Sequence, residues 1–498
     1  MDYTSTRDTK KRITSAEAIT RGISSDGGLF VPTSVPTVSL QYIDDVKELG
    51  YQDRAKKILG LYLEDFDEDE LSDYVDNAYG NGKFSSAAVA PVVNIHDNVN
   101  ILELWHGPTC AFKDMALQLL PYLLKGSAKR TLKNKDIVIL VATSGDTGKA
   151  ALEGFKDVDG TKILVFYPNS GVSPMQQRQM QTQEGSNVGV CSVNGNFDDA
   201  QTGVKAIFTD EETKKVFDEN NLVFSSANSI NWGRLVPQIV YYFSAYCDLL
   251  NKDQISLGEK INIVVPTGNF GNILAANYAV RMGLPVNKLI CASNSNNVLT
   301  DFINTGVYDR NRKFYSTISP SMDILISSNL ERLIFTLYGG DDEEVRKLYS
   351  SLKETGKFAV SDEVHKAVAD RFYGGFCSDD ETMATIKETY DKFGYLADTH
   401  TSVAIKVLND YVKKTGDDTP VVIASTASPF KFCTSVMTAL NGHAGSDDFE
   451  NLSELEKLTG IKAPTQLSSL KDKPIRFNIN CGNDIDSMRK VVFGMLKI

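Results

Sequence analysis

Short runs of β-branched and apolar residues recur through the middle of the chain, each closed by a turn and followed by a stretch of helical character. Asp136-Ile137-Val138-Ile139-Leu140-Val141-Ala142 stops at Thr143-Ser144-Gly145 and passes into a helix-like segment over 149–156. The alternation returns with 162–166 before a helix opened by Ser173-Pro174, with 188–193 before 198–207, with 261–265 before 273–282, and with 288–292. Such runs suit strands covered on both faces, and strands alternating with helices assemble as parallel sheets. The predicted class is α/β with two doubly wound, mostly parallel sheets, because 498 residues exceed what one core supports. Residues 1–90 read as a helical N-terminal extension, with the acidic run Glu64 to Glu70 as a solvated helix start.

Bulk properties remove several function classes. A formal net charge of −12 speaks against nucleic acid, whose phosphates require a basic surface, and against anionic membranes. No segment has the length and apolarity of a membrane span, and the N-terminus lacks a signal-peptide core. The seven cysteines are scattered without Cys-x-x-Cys spacing, and the five histidines show no metal-ligand pairing. A cytoplasmic enzyme without a metal site is expected; oligomeric state is not readable.

Three segments carry chemistry. In His106-Gly107-Pro108-Thr109-Cys110-Ala111-Phe112-Lys113-Asp114 an apolar wall beside Lys113 disfavours the ammonium form, which is what a Schiff-base lysine needs. Gly268-Asn269-Phe270-Gly271-Asn272 joins a predicted strand to a predicted helix, so its amides and the helix N-terminus can converge on a phosphate. It lacks the third glycine of a dinucleotide fingerprint and the Gly-Lys-Ser/Thr of a Walker loop. Thr143-Ser144-Gly145-Asp146-Thr147-Gly148 offers hydroxyls and orphan amides that suit a carboxylate, with Asp146 read as the N-cap; a capped helix without a ligand is the lesser alternative. Arg178 and Arg234, assisted by Lys149, are candidates for a second, substrate phosphate.

Together with Ser24-Ser25-Asp26-Gly27-Gly28, Asn228-Ser229-Ile230-Asn231-Trp232-Gly233-Arg234, Ser319-Pro320-Ser321-Met322-Asp323-Ile324 and Ser425-Thr426-Ala427-Ser428-Pro429, these motifs resemble the threonine synthase family. The resemblance implies the fold type II architecture of pyridoxal 5'-phosphate enzymes. The N-terminal region would span 1–90, a large cofactor domain 91–129 and 251–498, and a small α/β domain 130–250. It further implies that Lys113 carries pyridoxal phosphate and acts as the catalytic base and acid. Gly268, Asn269, Phe270, Gly271 and Asn272 would line the cofactor phosphate, and Thr426 would partner the pyridine nitrogen. Ser144, Gly145, Asp146 and Thr147 would receive the substrate carboxylate. The implied activity is that of a carbon-oxygen lyase making threonine and phosphate from O-phosphohomoserine and water, the last step of threonine biosynthesis. Two alternatives stand beside it: a related phospho-lyase that releases a keto acid, and a non-catalytic binding protein that retains the fold.

Overall fold

In the computed structural model, which describes residues 1–132, 135–169 and 172–498, the α/β class with two largely parallel sheets is present. The first sheet runs in the order Phe372–Phe376, Val286–Ser293, Ile261–Pro266, Val421–Ser425, Val99–Glu103, Val92–His96, parallel except at the last pair. Its strands are covered on both sides, which is why they read as unbroken apolar runs. Val264, Ile290, Ile423 and Ile101 face one cluster with Val403, Val407 and Leu408 of helix Thr399–Thr415. Their neighbours Ile263, Val265, Leu289 and Val422 face the opposite cluster with helix Gly271–Met282.

The second sheet is parallel throughout, in the order Ile479–Cys481, Val188–Val193, Thr161–Pro168, Asp136–Ala142, Leu222–Ser225. The same two-sided alternation holds: Val138, Leu140 and Leu164 pack on Met488 and Val492, whereas Ile137, Ile139 and Ile163 face the main core. Sheet membership departs from the division expected at 130–250 in two places. The last strand and helix Ile485–Leu496, placed by sequence in the large unit, complete this second sheet. Helix Trp232–Asn251, placed in the small unit, is buried almost along its length against Tyr51–Gly60 and Gly271–Met282.

The N-terminal region holds helices Ser15–Arg21, Leu40–Val46, Tyr51–Gly60 and Glu68–Tyr79, the last with an acidic first turn that complements the helix dipole. It also holds a three-stranded antiparallel sheet of Asp8–Ile13, Tyr3–Ser5 and Phe30–Pro32 that the sequence pattern did not reveal. Strands of three residues are too short to show a period.

Candidate active site

Lys113 sits where the first sheet delivers its strand ends. The loop before it turns sharply at Cys110, a non-glycine residue at φ 58°. Ala111 then bridges Ala427, and the Phe112 amide donates to the Thr426 carbonyl at 2.8 Å, so strand Val421–Ser425 holds Thr426 beside the lysine segment. Thr109 donates through its amide and its hydroxyl to Asp114, at 2.8 and 2.7 Å, which fixes the loop from within. The Lys113 amine lies 3.3 Å from Ser321 Oγ and 3.9 Å from Asp146 Oδ2. Burial pulls its pKa down to about 8; Asp146 opposes that shift, and Lys431 and Arg234 add to it.

Asp146 is the shared anion of the site. Its Oδ1 accepts from Lys431 Nζ and from Gln176 Nε2, both at 2.8 Å, and its Oδ2 accepts from Ser321 Oγ at 3.3 Å. Burial alone would raise its pKa, but Lys431 and Lys113 hold the carboxyl well below the usual range. Ser321 is itself positioned: its amide donates to His400 Nε2 at 3.2 Å, and His400 Nδ1 meets the fully buried Asp398 at 2.8 Å. With Nε2 accepting, the imidazole proton faces Asp398.

The loop after strand Ile261–Pro266 turns through Phe270 at φ 62° into helix Gly271–Met282. Its carbonyls are tied back: Ser327 Oγ donates to Gly268 O at 2.8 Å, and the Asn329 amide and Nδ2 donate to Asn269 O at 3.1 and 3.0 Å. First-turn helix amides have no intrahelical partner, so those that begin helix Gly271–Met282 are available to an anion. Gly268 is required because a Cβ there would come within 2.8 Å of the Ser321 carbonyl oxygen. At Gly271 the reverse holds, since a Cβ would meet nothing nearer than Asn329 Nδ2 at 3.5 Å.

Three segments match family descriptions: residues 2–79 "Threonine synthase N terminus", 94–426 "Pyridoxal-phosphate dependent enzyme", and 401–492 "Threonine synthase, C-terminal". Threonine synthase from Saccharomyces cerevisiae is 39% identical over 491 residues, covering 92% of this chain and 93% of that one. The chain belongs to the threonine synthase family. The crystal structure of PLP-bound threonine synthase from Brucella melitensis matches with a TM-score of 0.88 and 36% identity, covering 100% of both chains. Human threonine synthase-like 1 is 42% identical over 436 residues, and the match covers 85% of this chain but only 58% of that protein's length.

The cofactor of this family fits the residues present. Asn272 Oδ1 accepts from the hydroxyls of Tyr241, at 2.6 Å, and Tyr242, which leaves its Nδ2 buried without a partner among the described residues. The Asn272 Nδ2, a donor without a partner among the described residues, lies in the turn that begins helix Gly271–Met282, and such a neutral donor at a helix start suits a phosphate. The Lys113 side chain is 12% exposed, and Ser321, whose Oγ lies 3.3 Å from its amine, also places its carbonyl against Gly268.

Of the residues predicted for the substrate, the structure brings some together and removes others. Gly145, at φ 142°, is the N-cap of helix Asp146–Phe155, so Asp146 is not the cap: its carboxylate meets side chains instead of backbone donors. The hydroxyl of Thr143 already accepts from the Gly145 and Gly148 amides at 3.0 and 2.9 Å. Among the described residues the Asp146 and Thr147 amides carry no such bond, and Ser144 precedes them in the same turn. Lys149 is spent on Glu153, at 3.0 Å, and on Gln183. Arg178 points away as well, donating to the carbonyls of Leu470, Lys471 and Lys473 at 3.0, 2.9 and 2.8 Å. Arg234 stays: its Nη1 donates to Ala227 O at 2.8 Å, its buried Nε has no partner among the described residues, and burial pulls its pKa down to about 10. It shares a helix with Gln238, Tyr241 and Tyr242, one to two turns on, which reach the Gly271–Asn272 turn.

Sequence reasoning missed Lys431, Ser321, Gln176, Asn329 and the Asp398–His400 pair. Ser321 lay inside a motif already noted, without a role. Lys431, set between Phe430 and Phe432, carries the same aromatic context that singled out Lys113.

Proposed function

We propose that the protein converts O-phosphohomoserine and water to L-threonine and phosphate, with pyridoxal phosphate carried on Lys113. The observation that carries this reading is a buried lysine, depressed toward the uncharged form, joined through Ser321 to a strand-to-helix loop that holds an unpartnered buried donor. Bound there, the cofactor supplies an electron sink for charge developing on the substrate.

The chain's own residues do the rest. Gly268 to Asn272 would hold the cofactor phosphate, and the Thr426 hydroxyl would serve the ring. The amides of Asp146 and Thr147, at a helix N-terminus, would receive the substrate carboxylate. Arg234 would take the substrate phosphate, which needs local positive charge in a chain of net charge −12. Lys113, once its amine is free, would take protons from Cα and Cβ as phosphate departs from Cγ, return one proton to Cγ, and return one to Cα after water adds at Cβ. Ser321 would keep the amine aimed during that exchange. Among the described residues no helix is long and apolar enough to cross a membrane, and seven unpaired cysteines suit the reducing cytoplasm in which we place the protein.

Incubating the purified protein with pyridoxal phosphate and O-phosphohomoserine tests the reading. Threonine and phosphate in equal amounts support it. A keto acid with phosphate would instead establish the phospho-lyase, and no absorbance from a bound cofactor would establish a binding protein.

A further inference from the structure

Lys431 is buried to 1% exposure, in the 3-10 turn Pro429–Phe432, and no role in the proposed reaction falls to it. Two of its three ammonium protons are engaged, one by Asp146 Oδ1 at 2.8 Å and one by the Thr109 carbonyl at 2.9 Å. Asp146 turns its other oxygen toward Lys113, at the longer distance of 3.9 Å. One carboxylate is therefore shared by two lysines, and the shorter contact belongs to Lys431. Left alone with Lys113, a buried Asp146 would form a close ion pair with it and hold the amine protonated, because neither charge has water to lean on. A protonated amine cannot attack a carbonyl.

We propose that Lys431 is a positioning residue for Lys113: by occupying Asp146 and by placing a second positive charge beside it, Lys431 keeps the Lys113 amine available in its uncharged form. This rests on the reading of Lys113 as the residue that takes the cofactor. The groups facing Lys113 are Asp146 from the head of helix Asp146–Phe155, Ser321 from the turn Pro320–Met322, Arg234 from helix Trp232–Asn251, and Lys431 itself. Those facing Lys431 from the loop beneath are Cys110, whose thiol burial pushes up to about 12, and Asp114, whose carboxyl burial raises to about 6. Cys110 thus stays neutral and Asp114 is already satisfied by Thr109, so Asp146 is the carboxylate through which Lys431 reaches Lys113. The same pairing neutralises an anion at a helix N-terminus that would otherwise repel an anionic substrate.

The test is the reactivity of Lys113 toward acetic anhydride in the cofactor-free protein, measured across pH by peptide mass spectrometry. The wild-type labelling midpoint is expected near the depressed value, and Lys431→Gln should move it upward by about one pH unit or more. Lys431→Arg, which keeps the charge, should leave it in place, and Asp146→Asn should lower it. A folded Lys431→Gln with the wild-type midpoint overturns the proposal. Should Lys431→Gln fail to fold, Lys431→Met combined with Asp146→Asn removes both charges together. Its midpoint is expected above that of Asp146→Asn alone, and equal midpoints overturn the proposal. Wild-type protein whose Lys113 does not take up pyridoxal phosphate overturns the functional reading, which is a different outcome from equal midpoints.

Discussion

The amine of Lys113 stands 3.9 Å from Asp146 Oδ2, beyond hydrogen-bond range yet inside the distance at which a buried carboxylate shifts a lysine. Burial outweighs that attraction and the ammonium is pulled down to about 8. The rate of covalent pyridoxal phosphate uptake by the cofactor-free protein should therefore climb with pH, about tenfold per unit below the midpoint, and level off above about 8. The sign follows from burial disfavouring the charged form, so the uncharged amine is present at lower pH than in an ordinary lysine. Stopped-flow absorbance across pH checks it, and a rise that continues past pH 10 would contradict it.

Lys113→Ala should abolish covalent cofactor attachment and lower turnover by at least about a hundred- to ten-thousandfold, since the proposed reaction assigns to Lys113 both the cofactor bond and the proton transfers. Its melting temperature in the absence of cofactor should remain near that of the wild type, because the amine makes only a 3.3 Å contact to Ser321 and a distant one to Asp146. Mass spectrometry after borohydride reduction, with thermal unfolding alongside, separates the two effects.

Gly271→Val separates a phosphate cradle from a mere turn. A Cβ at Gly271 would meet no protein atom closer than 3.5 Å, so the cofactor-free fold should tolerate the change, whereas the branched side chain fills the space a phosphate needs. Affinity for pyridoxal phosphate should fall at least about tenfold with little change in apoprotein stability. Unchanged affinity in a titration would show that the loop only turns.

Two arginines should part company. Arg178→Ala removes three hydrogen bonds to the carbonyls of 470–473 and should cost about 1.5–3 kcal/mol of stability while leaving kcat/KM nearly intact. Arg234→Ala should lower kcat/KM for O-phosphohomoserine about ten- to a hundredfold, and impair cofactor attachment far less. Urea unfolding and steady-state kinetics on both variants decide it, and full efficiency in the Arg234 variant would remove that residue from the site.

Much of this site was legible along the chain because its parts are local. A strand that stops at Pro266, just before Gly268, and restarts as a helix at Gly271 announces a phosphate loop within a dozen residues, and the aromatic setting of Lys113 is contained in one segment. Where local chemistry misled, a competitor stood nearby in space. Asp146 has the composition of an N-cap, but Gly145 takes that position at φ 142°, and the carboxylate is drawn to Lys431 and Gln176. Arg178 and Lys149 have the composition of phosphate ligands, yet Arg178 is consumed by carbonyls nearly three hundred residues on, and Lys149 by Glu153 on the next helical turn and by Gln183.

The sequence by itself determined the periodic elements and the residues whose roles depend on backbone shape: buried strands, their glycine turns, the helix starts, and the lysine placed among aromatics. It did so because those properties are set by neighbours within a few positions. Only the tertiary structure decided which charges meet. Lys113, Asp146, Ser321, Arg234 and Lys431 come from five separate segments, and burial makes the charge states of Lys113 and Asp146 depend on the charges brought beside them. It also decided that Ile479–Cys481 closes the edge of the second sheet beside Val188–Val193, since three residues carry no pattern of their own until a neighbouring strand offers its free backbone groups.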